Sequence, residues 1–213
     1  PNQRIAISVR DQVLHLFVSL GLARLGATQI ALPPVAPVST RAAIASKLGL
    51  SAVIVENPRE GLDGLKAITV DANKLSNSLV TLDQSYSETG DNAFLLLQSS
   101  GTTGDPKFSE LTHKMAFDRL ERYKTYFGTS SSDIFWPASR LDFVVAKQRV
   151  FHSLQSGAAI CLVSGRAIGS SLLEFLDHSG VTMACGTPSH MAQILNASKG
   201  STSLPKLRVF EVR

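Results

Sequence analysis

Along the first seventy residues the apolar positions switch between period two and a period near 3.6, and a turn residue marks each switch. Ile5, Ile7 and Val9 alternate as in a half-buried strand. Asp11 then offers an N-cap to a helix carrying Val13, Leu14, Phe17, Val18 and Leu25, which Gly26 ends. Residues 28–32 read as a second strand, and Pro33, Pro34 and Pro37 mark a rigid connection. Ser39 is placed to cap a helix that stops near Gly49, and residues 52–55 form a third strand. Strands separated by helices imply parallel pairing through right-handed crossovers, so the expected class is α/β with mostly parallel sheets. Residues 71–92, rich in Ser, Asn, Asp and Thr, read as irregular chain before a strand.

The alternation resumes further on. Thr112 is placed to cap a helix with Met115, Phe117, Leu120 and Phe127 on its apolar side, ended by Gly128. The polar run Thr-Ser-Ser-Ser-Asp at 129–133 is the natural boundary, giving two α/β subdomains, 1–128 and 129–213. The second reads as strand 134–136, helix 141–154, strand 158–163, helix 170–178, strand 181–185, helix 189–195 and strand 207–212. The chain is expected to be a fragment of a longer polypeptide, because its last strand reaches the final residue and its first begins at Arg4.

Composition narrows the partners. With 44% apolar and 18% charged residues the chain is globular rather than disordered. The net charge of +4 comes from Lys and Arg scattered without a basic run, so no nucleic-acid partner is expected. No stretch approaches the ~18 apolar residues of a membrane span, and no signal-peptide pattern opens the sequence; a cytoplasmic location is the expectation. Cys161 and Cys185 lie in apolar segments and read as buried thiols. His15, His113, His152, His178 and His190 show no metal-ligand spacing, so no protein metal site is expected.

The candidate chemistry lies at residues 94–107, where an apolar strand, Phe-Leu-Leu-Leu, runs into Gln-Ser-Ser-Gly-Thr-Thr-Gly-Asp-Pro-Lys. Glycines let backbone N–H groups close on an anion, hydroxyls add donors, and a lysine adds a compact positive charge. On composition alone the segment reads equally as a surface turn. It is not the G-x-x-x-x-G-K-[ST] phosphate loop, since Pro106 precedes the lysine and Phe108 follows it, and it lacks the third glycine of a dinucleotide fingerprint.

The ordered string Ser99-Ser100-Gly101-Thr102-Thr103-Gly104-Asp105-Pro106-Lys107, followed by Leu111-Thr112-His113, closely resembles the ATP-binding signature of the adenylate-forming enzymes: acyl-CoA synthetases, peptide-synthetase adenylation domains and luciferases. Gly26-Ala27 with Ala31-Leu32-Pro33, and Val181-Thr182 with Gly186-Thr187-Pro188-Ser189, resemble earlier and later elements of the same family. The resemblance implies most of the two α/β subdomains of an incomplete N-terminal domain. It implies that a carboxylic acid attacks the α-phosphate of Mg-ATP, giving an acyl-adenylate and pyrophosphate, with later transfer to a thiol of CoA or of a carrier protein's phosphopantetheine. ATP and Mg2+ are both implied in this way. Ser99, Ser100, Thr102, Thr103 and Lys107 would hold the β- and γ-phosphates, while Gly101 and Gly104 let the backbone close around them.

The family places part of its acyl pocket near residues 135–143, which nominates Trp136, Ser139, Asp142 and Phe143, although Trp136 on a strand and Phe143 on a helix read more readily as core residues. Phe108 departs from the glycine that commonly follows the lysine. The acidic Mg-ATP segment, the aromatic motif near adenine, the ribose-binding aspartate and the catalytic lysine of the family would all lie beyond Arg213, in the remainder of the parent polypeptide. A non-catalytic nucleotide- or partner-binding module that keeps the loop is the alternative. These 213 residues alone are therefore expected to support no carboxylate-dependent pyrophosphate exchange; robust exchange with any acid in a panel would overturn that expectation.

Overall fold

The computed structural model describes residues 3–72, 90–99, 106–162, 170–198 and 204–213, without the side chains of Ser99 and Ser170. Within these, the chain divides into two compact units, residues 1–116 and 117–213. The first holds a six-stranded sheet. Its strands are β1 (Arg4–Ser8), β2 (Thr28–Ala31), β3 (Ala52–Val55), β4 (Lys66–Thr69), β5 (Ala93–Ser99) and β6 (Lys107–Thr112), in the order β4-β3-β1-β2-β5-β6. All pairings are parallel except β5 with β6, so the sheet is mixed but mostly parallel.

The period-two alternation divides the strands' side chains between two faces. Ile5, Ile7, Ala52 and Ile54 pack against Leu14 and Leu22 of helix α1 (Gln12–Arg24). Ala6, Ile30, Val53 and Val55 pack against Ile44, Ala45 and Leu48 of α2 (Val38–Leu48). Helices on both faces are what parallel crossovers require.

The caps follow local chemistry, with one exception. Asp11 accepts the Leu14 N–H at 2.7 Å, as its position predicts. Helix α2 begins after Pro37 with no side-chain cap, so Ser39 lies inside the helix rather than at its cap. Pro37 already has the extended backbone that the position needs. At the other end Gly49 adopts φ 59°, where a side chain would be strained. Two strands escape the sequence pattern. All four residues of β4 are exposed, so it carries no apolar alternation. The second, β6, lies between the loop and helix α3 (His113–Phe127), where the pattern predicts a direct passage from loop to helix. Thr112 does cap α3, accepting the Met115 N–H at 3.1 Å.

The second unit holds a fully parallel sheet of β7 (Ile134–Pro137), β8 (Ala159–Ile160), β9 (Met183–Gly186) and β10 (Val209–Val212), ordered β10-β9-β7-β8. Helix α4 (Val144–Gln155) joins β7 to β8, α5 (Ser170–His178) joins β8 to β9, and α6 (Pro188–Ala197) lies between β9 and β10. Trp136, Ala184, Leu172, Leu173, Leu176 and Ile194 form one apolar cluster, which packs one face of the sheet against α5 and α6. Both cysteines are free and buried. Asp133, just before β7, accepts bonds from Arg208, Thr182 and the Ser130 N–H. Burial alone would raise its pKa, but these donors outweigh burial and hold it at about 2.

Charges lie beside the other face. Arg149 of α4 grips Glu211 of β10 through two bonds, Nε to Oε2 at 2.6 Å and Nη2 to Oε1 at 2.7 Å. The Tyr123 hydroxyl of α3 and Arg213 Nε also donate to this carboxylate, and the Arg149 guanidinium lies 3.8 Å from the Tyr123 ring centre. Burial pushes the Glu211 carboxyl up, yet its four donors bring it down to about 2. His152 is neutral near pH 7: burial first, and then the Arg149 charge, lower it to about 4.

Two outcomes are expected. Glu211→Gln leaves a buried guanidinium uncompensated and should cost about 3 kcal/mol in urea denaturation, while Arg149→Met combined with Glu211→Leu should cost less than the single change. A cost under about 0.5 kcal/mol for Glu211→Gln would contradict the network's role. Stability should also fall on acidification. Between about pH 6.5 and 4 the unfolded chain protonates His152 while the folded chain does not, and the paired Glu211 adds a further loss from about 4.5 down through 2. Urea midpoints at pH 7 and 4.5 should differ in wild type and differ less in His152→Gln; equal wild-type midpoints would count against this.

Candidate functional site

The antiparallel register of β5 and β6 pairs Ser99 directly with Lys107. Residues 100–105 lie outside the described residues, and with them Ser100, Gly101, Thr102, Thr103 and Gly104. What the structure gives is the frame: eight positions apart in sequence, the first hydroxyl residue and the lysine of the string stand on neighbouring strands, about 5 Å apart at Cα by the geometry of such pairs. Lys107 is exposed. The base of the frame is pinned by a residue that the sequence pattern did not nominate. Lys47, near the end of α2, donates to the Pro106 carbonyl at 3.2 Å and lies 5.8 Å from the centre of the Phe108 ring. Phe108 packs partly buried against the α2 side of the sheet. A contact across 59 positions leaves no local signal in the sequence.

The second unit has a topological switch. From β7 the chain passes to β8 on one side and then to β9 on the other, so the carboxyl ends of β7 and β9 mark a topological switch point, the place where open α/β sheets bind ligands. Pro137 ends one strand and leads into Ala138 and Ser139; Gly186 ends the other and leads into Thr187. The two segments approach closely because Gly186 has no side chain: a Cβ there would stand 2.9 Å from Ala138 Cβ and 3.1 Å from His190 Cβ. Thr187 caps α6 reciprocally with His190, whose Nδ1 accepts the Thr187 N–H at 3.1 Å, which places the ring proton on Nε2. Burial lowers the His190 pKa, favouring this neutral form.

The four nominated acyl-pocket residues take different places. Ser139 is half-buried just past the end of β7. Asp142, its side chain 6% exposed, pairs with Arg140 at 2.9 Å. Trp136 fills the core beneath α5 and α6, and Phe143 is 63% exposed at the start of α4. One turn into α4, Lys147 is buried, and burial lowers its amine to about 7 against the opposing pull of Asp142. No motif nominated it.

A cavity of about 550 Å³ opens between the last turns of α3 and the carboxyl end of β10, lined by Arg122, Tyr123, Tyr126, Phe127, Glu211, Val212 and Arg213. Its carboxylate is the one held by Arg149. The neighbouring Cys185 is inert: burial first, and then the Glu211 charge, push its thiol up to about 12. Among the described residues no three His, Cys, Asp or Glu side chains gather as metal ligands, and no helix is long and apolar enough to cross a membrane.

The AMP-binding enzyme family matches residues 1–212 of the chain. The chain is 33% identical over 107 residues to the hybrid PKS-NRPS synthetase pynA of Aspergillus niger, a stretch covering 49% of this chain and 3% of that protein. It is 24% identical over 229 residues to a linear gramicidin synthase of Brevibacillus parabrevis, covering 100% of this chain and 4% of that protein. In fold it resembles O-succinylbenzoate coenzyme A synthetase (MenE) of Bacillus subtilis in complex with AMP, with TM-score 0.83, 18% identity, 98% of this chain and 54% of that one. The chain thus spans about half of that synthetase and a few percent of the two larger proteins. With its mostly parallel α/β sheets and its match over almost all of its length, this chain belongs to the AMP-binding enzyme family of adenylate-forming enzymes.

Proposed function

We propose that this chain is part of an ATP-dependent ligase that activates a carboxylic acid as its acyl-adenylate, releasing pyrophosphate, and passes the acyl group to a thiol of CoA or of a carrier protein. The observation that carries this reading is the ordered string of residues 99–107 set on the β5–β6 frame, with Ser99 and Lys107 cross-strand partners. The acid's carboxylate oxygen attacks the α-phosphorus of ATP, and the bond to the bridging oxygen breaks toward pyrophosphate. Negative charge grows on the leaving group, so donors already fixed in place stabilise it better than mobile water does. Lys107 supplies the positive charge, and the hydroxyls of Ser99, Ser100, Thr102 and Thr103 supply the donors. Mg2+ enters as the counter-ion of ATP. The acyl group lies toward Ser139 and Asp142, and the protein works in the cytoplasm. MenE's complex with AMP supports a nucleotide site in a fold of this kind.

The test is Mg-ATP titration of the chain by calorimetry. Saturable binding is expected, and Lys107→Ala should weaken it about tenfold or more, the loss of one charge-assisted phosphate contact. The absence of binding at millimolar nucleotide, or an unchanged affinity in Lys107→Ala, would remove the phosphate-holding role.

A further inference from the structure

We infer that the Nε–Nη2 edge of Arg41, at the carboxyl ends of β1 and β3, holds the carboxylate of a small acid that carries a hydrogen-bond donor on its next carbon. The residues concerned all belong to the first unit, and their role is independent of the phosphate-holding role proposed for residues 99–107.

This end of the first sheet is a topological switch point of its own. From β1 the chain passes to β2 on one side and then to β3 on the other, and Ser8 ends β1 opposite Val55 at the end of β3. Helix α2, which crosses from β2 to β3, brings Arg41 there. Its Nη1 donates to Ser8 Oγ and to the Glu60 carbonyl, each at 3.2 Å, and the residue keeps only 4% of its surface exposed. Those two bonds use one corner of the guanidinium. Nε is buried without an acceptor, and among the described residues no acceptor meets Nη2 and no carboxylate stands at ion-pair distance from the group. Elsewhere in the molecule the same edge of an arginine takes a carboxylate with both nitrogens: Arg149 with Glu211, Arg140 with Asp142 and Arg208 with Asp133. Nε and Nη2 form a rigid planar fork that matches two carboxylate oxygens. A guanidinium taken out of water without a counter-charge is strongly destabilising, so an oxyanion seated on this fork relieves a charge that the protein leaves uncompensated.

The neighbours choose among oxyanions. Glu60 ends a short 3₁₀ turn, Pro58–Glu60, and touches Arg41 through its carbonyl; its Oε1 pairs with Arg10, while its Oε2 is buried with no donor. Glu56 is already engaged, accepting the backbone N–H groups of Arg10 and Asp11 at 2.7 and 3.1 Å. A buried donor edge and a buried acceptor thus belong to two residues in direct contact. A phosphate dianion answers only the first, because it has no proton to give Oε2 and sets oxygen against oxygen. A carboxylate with a hydroxyl on the next carbon answers both.

The probe is glycolate, titrated into the isotope-labelled whole chain at about pH 8, where phosphate is a dianion, beside acetate, glycolamide and inorganic phosphate. The Arg41 side-chain Nε–H signal is followed by NMR and assigned by its loss in Arg41→Lys. Glycolate should shift this signal saturably; acetate, which lacks the donor, should bind about threefold or more weakly, and neutral glycolamide about tenfold or more weakly. Arg41→Lys keeps the charge and loses the fork, and should weaken glycolate about tenfold or more, read on the Arg10 backbone amide. Glu60→Ala, on a turn rather than in the core, should leave acetate binding in place and remove the preference for glycolate, which keeps the assignment testable if Arg41→Lys does not fold. No saturable shift with glycolate, equal binding of glycolamide, phosphate binding as tightly as glycolate, an unchanged affinity in Arg41→Lys, or a glycolate preference that survives Glu60→Ala would overturn it. Displacement of glycolate by Mg-ATP would reassign the fork to nucleotide and overturn it too. Glycolate binding should survive Lys107→Ala while ATP binding falls, so either reading can fail without the other.

Discussion

Arg149 and Glu211 put two full charges in a nearly water-free place, and the second unit is organised around keeping them paired. Each would lose several kcal/mol of hydration if buried alone, so the guanidinium fork and the carboxylate must meet with both bonds formed. That condition ties α4 to β10. The Tyr123 hydroxyl extends it to α3, whose ring also covers the guanidinium. Three elements separated in sequence by up to 88 positions thus share one geometry. Apolar residues of equal volume could supply as much stability or more, because a buried ion pair often only breaks even against its desolvation. What apolar packing does not supply is direction. A methyl cluster tolerates small slides of α3 along the sheet, whereas a saturated carboxylate permits one position.

The same network decides the character of the adjoining cavity. With Glu211 fully engaged, the remaining capacity at that edge of the sheet is the outer nitrogens of arginine and the faces and edges of three rings. Burial first, and then the same negative charge, silences the neighbouring thiol, while burial and then the same positive charge keep His152 neutral. These two titratable side chains beside the carboxylate are therefore held in their neutral forms.

How much of this could be read from the sequence depends on the range of each contact. The alternation of Ile5, Ile7 and Val9 is local and marks β1 as a strand, but it reads as half-buried, whereas Ala6 and Ser8 are buried as well because helices cover both faces of the sheet. The Asp11, Thr112 and Gly49 caps are also local, and they stand where expected. Ser39 failed as a cap because Pro37, two residues earlier, fixed the required backbone first. The exposed strand β4 showed no pattern because it buries nothing. Arg149 with Glu211, and Lys47 with Pro106, are 62 and 59 positions apart, and no periodicity brings such pairs together. The loop was legible through its order of residues, a chemical signature rather than a periodic one.

The antiparallel strand β6 changes the physics of that loop. In phosphate sites built on a strand–loop–helix unit, the helix N-terminus provides roughly half a positive charge and several unpaired N–H groups aimed at the anion. Here the chain leaves the loop along β6, and α3 begins only at His113, six residues after Lys107 and about 20 Å further along at strand rise. A macrodipole acts over about one turn, so α3 does not reach the loop. On the phosphate-holding reading proposed above, the charge would come from side chains. Lys107 enters as the cross-strand partner of Ser99, and its backbone is fixed by a ladder. Phe108, the departure from the family's usual glycine, completes this arrangement: its ring packs toward α2, while Lys47 holds the Pro106 carbonyl on the near side of the same residue. The larger side chain therefore anchors the strand beside Lys107, at the point where the reading proposed above would have the phosphate charge met, which a glycine in that position could not do.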